Sequence, residues 1–106
     1  MQFIETRLFT REVTHLLDDE EYRTLQWSLI NSPEQGDIIP GMLGCRKLRW
    51  KTAGRGKRGG VRVVYYYKPN ADQIWMLTVY GKNRKEDLTP TDKENIRLLV
   101  RNIKND

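Results

Sequence analysis

Two β-rich runs, residues 61–68 and 74–80, are separated only by Pro69-Asn70-Ala71-Asp72. Proline, Asn and Asp are turn formers, and a connection this short joins neighbouring strands antiparallel. Residues 45–50 (Cys-Arg-Lys-Leu-Arg-Trp) alternate in polarity. They lead through a basic turn with four glycines, residues 51–60, into the first of the two runs. Three consecutive strands joined by short turns make an antiparallel meander, and a meander needs helices to cover it. The flanks supply them. Residues 2–6 are a short first strand, and Phe9, Val13, Leu16 and Leu17 then recur at helical spacing. Asp18 stands three residues before Glu21, a capping-box pattern that starts a second helix with Tyr22, Leu25 and Leu29 on one face. That helix stops by Asn31-Ser32, because Pro33 disfavours helix in the residue before it. Residues 33–44, with two prolines and three glycines, read as a loop. Thr89-Pro90-Thr91-Asp92 opens a last helix striped with Ile96, Leu99, Val100 and Ile103. The expected fold is α+β in the order β-α-α-β-β-β-α: a two-helix N-terminal hairpin, an antiparallel sheet core and a C-terminal helix, with the helices on one face of the sheet. At 106 residues the chain is one domain, 1–106.

Charge points to the partner. The formal net charge is +5, and the basic residues concentrate on the meander: Arg46, Lys47, Arg49 and Lys51, then Arg55, Lys57 and Arg58, then Arg62, and finally Lys82, Arg84 and Lys85. Alternation puts Lys47 and Arg49 on the strand face opposite Leu48 and Trp50. On the next strand Arg62, Val64 and Tyr66 share one face, with Val61, Val63, Tyr65 and Tyr67 on the other. Antiparallel pairing through the 51–60 turn brings Arg62 near Arg49 or Lys47, and such a cluster repels itself unless an anion screens it. Cations interleaved with tyrosines suit a nucleic acid, whose phosphates they attract and whose bases stack on the rings. The same residues also suit a solvated sheet edge that resists aggregation. The glycines of 54–60 let backbone amides approach an anion, but no Gly-Lys-Ser/Thr occurs there, so a nucleotide P-loop is excluded.

Familiar catalytic groups are missing. His15 is the lone histidine and Cys45 the lone cysteine, so zinc and a Cys-His nucleophile are disfavoured and no internal disulfide can form. A reducing, cytoplasmic setting is expected. No apolar run approaches the length of a membrane span, and Met1-Gln2-Phe3-Ile4-Glu5 is neither a basic leader nor a long apolar stretch. RNA supplies its own nucleophile, the 2′-hydroxyl. Cations can accelerate its attack by holding the phosphate in line and stabilising the developing charge, with no metal or cofactor. An arginine can hold the phosphate bidentately, and a lysine crowded by positive charge can act as base.

The segments Leu-Gly-Cys-Arg-Lys-Leu-Arg (43–49), Gly-Lys-Arg-Gly-Gly-Val-Arg-Val-Val-Tyr-Tyr (56–66) and Thr-Val-Tyr-Gly-Lys-Asn (78–83), taken with the element order and the size, resemble the RelE/ParE superfamily of bacterial type II toxins, and most of all its HigB branch. The resemblance covers nearly the whole chain. It implies a ribosome-dependent endoribonuclease, an mRNA interferase that cuts translated mRNA in the A site. It also implies a cognate HigA-like helix-turn-helix antitoxin through which operator DNA is bound. By position Lys47, Arg49, Arg62 and Lys82 become the catalytic candidates, with Lys47 or Lys82 as base. Lys57, Arg58, Tyr66, Tyr80, Asn83 and Arg84 become RNA-binding candidates. Two departures stand out: Asn83 occupies a position where many RelE-type members carry arginine, and Thr89 one where they often carry a catalytic tyrosine. Two other functions fit the same fold and charge. One is a toxin that poisons a non-ribosomal target such as DNA gyrase, as ParE-like relatives do. The other is an RNA-binding domain without catalysis.

Overall fold

The computed structural model describes residues 1–52, 60–82 and 87–105. Strand β1 (Gln2–Glu5) leads into helices α1 (Arg7–Leu16) and α2 (Asp19–Asn31). Then come β2 (Asp37–Ile38), β3 (Arg46–Trp50), β4 (Val61–Lys68), a 3-10 turn (Pro69–Ala71), β5 (Gln73–Gly81) and α3 (Pro90–Lys104). The sheet runs β1-β5-β4-β3-β2. Strands β2 to β5 are antiparallel, as the short turns require, and β1 lies parallel to β5 at the edge. The α1–α2 segment carries the chain from β1 across to β2 at the opposite edge, and β3 and β4 follow before the parallel neighbour β5. Among the described residues no helix is long and apolar enough to cross a membrane.

Expected and observed folds differ in two respects. Residues 33–44 are not wholly loop: Asp37 and Ile38 pair with Lys47 and Arg46. This segment is pinned from the sheet. The Tyr65 hydroxyl donates to the Pro33 carbonyl and accepts from the Gly36 N–H, both at 2.9 Å. The Arg46 guanidinium donates to the carbonyls of Glu34 and Gly36 at 3.0 and 2.8 Å. A Cβ at Gly36 would come within 2.9 Å of the Tyr65 hydroxyl, so this approach requires glycine. Second, the helices do not share one face. Phe9, Val13, Leu25 and Leu29 of α1 and α2 pack with Leu48, Val61, Val63, Tyr65, Ile74 and Met76. Ile96, Val100 and Ile103 of α3 pack with Met42, Cys45, Val64 and Leu77 on the opposite face. The cause is β4 itself, which carries buried residues in both directions and so needs cover on both sides.

Capping fixes the helix starts. Asp18 and Glu21 exchange reciprocal bonds at 2.7 and 2.9 Å at the start of α2. Thr89 and Asp92 do the same at 3.1 and 2.9 Å at the start of α3. The C-terminal end of α3 is held differently. Lys68, buried at the end of β4, donates from Nζ to the Ile103 carbonyl at 2.7 Å. A cation at a helix C-terminus satisfies a terminal carbonyl and complements the dipole.

One irregularity decides where the site forms. Tyr65 pairs with Met76 but Val64 pairs with Thr78, so Leu77 is an extra residue on β5. Strict alternation from Ile74, on the α1–α2 face, would put Tyr80 on that same face. The bulge reverses the parity, and Tyr80 lands on the α3 face opposite Arg62. Thr6 braces this point. Its N–H donates to the Met76 carbonyl at 3.1 Å and its hydroxyl to the bulge carbonyl of Leu77 at 2.7 Å. The same hydroxyl accepts from the Phe9 N–H at 3.0 Å as the N-cap of α1. Thr6→Ala removes both roles of the hydroxyl and is expected to destabilise the fold by about 1–2 kcal/mol in urea denaturation, whereas Thr6→Ser keeps most of the stability.

Candidate functional site

The α3 face carries a polar row at the end of the sheet where β5 finishes. Arg49, Arg62 and Tyr80 are directly opposite one another across β3, β4 and β5. One step along, Lys47 pairs with Val64, which in turn pairs with Thr78. The alternation of the three strands and the Leu77 bulge thus bring two arginines, a lysine and a tyrosine onto one face. Arg62 is only 7% exposed, whereas Arg49 is exposed and Lys47 is half-buried. Like charges directly across a strand pair destabilise it, more so when one is buried.

Acids gather at the rim. The Lys47 ammonium lies 3.3 Å from Asp87 Oδ1, and the same oxygen accepts from the Leu88 N–H at 2.8 Å. The Leu88 N–H first, and the Lys47 ammonium second, hold the Asp87 carboxyl below the usual range. Tyr80 is pushed up to about 12, mainly by burial and then by the Asp87 carboxylate, with Arg62 opposing. At neutral pH this phenol is therefore protonated, a hydrogen-bond donor and not a base. Gly81 ends β5 and Lys82 follows it, its N–H donating to the Gly60 carbonyl at 3.3 Å. Gly60 has φ +66, and a Cβ there would sit 2.2 Å from the Trp50 carbonyl oxygen, so the closing of β3 against β4 depends on glycine.

The sequence candidates therefore divide. Lys47, Arg49, Arg62 and Tyr80 are brought together, and Lys82 continues the strand that carries Tyr80. Tyr66 is on the same face but four residues along β4 from Arg62, about 13 Å away. There it lies beneath the Lys104 ammonium, 5.9 Å from its ring centre. Lys57, Arg58, Asn83 and Arg84 fall outside the described residues. Thr89 is the N-cap of α3, its hydroxyl accepting from the Asp92 N–H. Sequence reasoning missed Asp87 as the partner of Lys47. The available signal was an acid interrupting the basic run that begins at Lys82. Among the described residues no group of three or more His, Cys, Asp or Glu side chains is placed to hold a metal ion.

No protein-family model matches the chain. Solved structures do. An arginine-to-alanine double mutant of the E. coli toxin RelE in its free state matches with a TM-score of 0.57 at 18% identity, over 80% of this chain and 86% of that one. The isolated E. coli RelE toxin matches at 0.55 and 17%, over 92% and 97%. The chain has the RelE fold. The intact E. coli RelBE toxin–antitoxin complex also matches, at 0.55 and 18%, over 76% of this chain and 94% of that one. Within the RelE fold of this chain, Tyr80 of the Arg49–Arg62–Tyr80 row belongs to the same buried cluster as Leu88 and Ile96, where α3 begins.

The raised Tyr80 fixes a sign that can be measured. A phenol whose folded value lies above its unfolded value of 10 contributes stability that is whole below pH 10 and lost as pH rises from 10 towards 12. Tyrosinate absorbance at 295 nm should show a phenol ionising near pH 12 in the folded protein, and Tyr80→Phe should remove it. The same variant should flatten the alkaline fall in stability between pH 10 and 12.

Proposed function

We propose that the chain is the toxin of a type II toxin–antitoxin system and acts as a metal-independent, ribosome-dependent endoribonuclease of the HigB kind. The observation that carries this reading is the pairing of Arg49 with Arg62 across two strands of a RelE fold, beside Lys47 and Tyr80. Two arginines opposite each other on one face of the sheet suit the bidentate grip of a phosphodiester.

The chemistry follows from the groups. Arg62 and Arg49 hold the non-bridging oxygens of the scissile phosphate and stabilise the charge that builds on them. A lysine, Lys47 or Lys82, takes the proton from the 2′-hydroxyl as the 2′-oxygen attacks phosphorus. The bond from phosphorus to the 5′-oxygen breaks, and a second cation delivers a proton to that oxygen, leaving a 2′,3′-cyclic phosphate and a 5′-hydroxyl. Tyr80, protonated and largely buried, is suited to donate a hydrogen bond to the phosphate or a base edge. Lys57, Arg58, Asn83 and Arg84 are proposed to contact the flanking RNA, and Tyr66 a more distant nucleotide. The ribosome supplies the mRNA. A HigA-like helix-turn-helix antitoxin is the proposed partner, and a RelE toxin is bound by its antitoxin in the RelBE complex.

Induction in growing bacteria, followed by mapping of mRNA 5′ ends, tests the reading. Wild type should arrest growth and produce cuts in phase with codons. Arg62→Ala should cut about 10²–10³-fold more slowly on purified ribosomes, the usual cost of deleting one transition-state donor. Because Arg62 is buried, the exposed Arg49→Ala serves as the variant whose fold is unaffected, and it should lose activity too. DNA damage without mRNA cuts would favour a gyrase poison. Salt-sensitive RNA binding without cuts would favour a non-catalytic RNA-binding domain.

A further inference from the structure

Asp87 is an acid at the rim of a cationic site. A carboxylate repels the phosphate that such a site would hold, so Asp87 weakens RNA binding unless it serves another purpose there. Stability is not that purpose, because an ion pair with Lys47 at an exposed rim contributes little. Nor is helix capping, since Thr89 and Asp92 close the capping box of α3 between themselves.

The mounting of Asp87 is firm. Its Oδ1 accepts from the Leu88 N–H at 2.8 Å, and Leu88 is buried in the cluster that holds Tyr80 and Ile96. The residue after Leu88 is the N-cap of α3. The carboxylate is thus tied to its own backbone at the head of a capped helix. The same Oδ1 receives the Lys47 ammonium at 3.3 Å. Lys47 lies in the row next to Arg49–Arg62–Tyr80, two residues or about 7 Å along the strands. Its flexible stem allows the ammonium many places. Asp87 selects one of them, where the lead-in to α3 meets the sheet.

The contact also decides which part Lys47 can play. A lysine is an ammonium at neutral pH, and a carboxylate beside an ammonium favours that form. A base must first lose this proton, whereas a donor needs it. We propose, resting on the RNA-cleaving reading above, that Asp87 is a positioning residue that holds the Lys47 ammonium ready to protonate the leaving 5′-oxygen, which leaves the base's part to Lys82. Lys82 takes the proton of the 2′-hydroxyl as the 2′-oxygen bonds to phosphorus. The bond from phosphorus to the 5′-oxygen breaks, and that oxygen takes a proton from Lys47. Lys82 begins as the amine and ends as the ammonium. Lys47 does the reverse, and proton exchange with water restores both.

Single-turnover cleavage on purified ribosomes tests this with two mRNAs. One has the ordinary linkage at the cut site, and the other has sulfur in place of the 5′-oxygen. A thiolate leaves without a proton, so the sulfur linkage needs no donor. Asp87→Asn keeps an acceptor oxygen for the Leu88 N–H and should leave the melting temperature unchanged. On the ordinary linkage it should cut about 10–100-fold more slowly at saturation, with no rise in the half-saturating concentration, and Asp87→Glu should regain part of the loss. Lys47→Ala should lose about 10²–10⁴-fold. On the sulfur linkage most of the loss should disappear for Asp87→Asn and Lys47→Ala, while Lys82→Ala stays slow on both. An Asp87→Asn defect of equal size on both linkages would overturn the proposal, as would an Asp87→Asn variant that cuts as fast as wild type. Sulfur rescue of Lys82→Ala in place of Lys47→Ala would overturn it by exchanging the two lysines. A wild type that cuts neither mRNA would remove the endoribonuclease reading as well.

Discussion

The single extra residue in β5 sets the chemistry of the whole sheet. Side chains alternate with a period of two, so one inserted position exchanges the faces of everything beyond it. Leu77 is that position, and it transfers Tyr80 to the side of Arg62 and returns Val79 to the α1–α2 core. Thr6 makes the irregularity affordable. A bulge leaves a carbonyl out of the ladder, and the Thr6 hydroxyl meets it while also starting α1. The first helix and the last strand are therefore fastened at one atom, and the geometry of the polar row depends on that fastening.

The two faces of the sheet do different work. The α1–α2 side is packed with aliphatic and aromatic side chains over its length. The α3 side is apolar only from Val64 towards Ile103 and becomes polar where the helix begins. Function and stability oppose each other in that polar end. Arg62 is buried across from Arg49, and burying a charged group costs stability. Asp87 engages Lys47 at an exposed rim, where such a pair contributes little.

Local signals made much of this architecture legible. Caps, breakers and turn residues placed α2, α3 and the β4–β5 hairpin, because each is decided by neighbours in sequence. Alternation and a short connection put Arg62 near Arg49 or Lys47, and the register makes Arg49 its partner. What remained hidden was non-local. Strand β2 is two residues long and exists because β3 pairs with it and Tyr65 and Arg46 tie the segment around it. The cover on both faces was encoded in the nearly unbroken apolar run of β4, a pattern of a strand buried on both sides. The bulge left no mark in Met76-Leu77-Thr78, so the face of Tyr80 could not be read from its position. The contact of Asp87 with Lys47 joins residues forty apart and depends on where α3 enters.

Lys68 gives the molecule an internal chemical clock. Lysines in folded proteins are almost never fully buried, but this one is enclosed and bonded to the last turn of α3. An amine engaged in this way reacts with an acylating reagent only after the helix end lifts away and the nitrogen loses its proton. The rate at which Lys68 is labelled thus counts those excursions directly. Once acylated, the nitrogen can no longer complement the helix end, so each excursion caught by the reagent becomes irreversible.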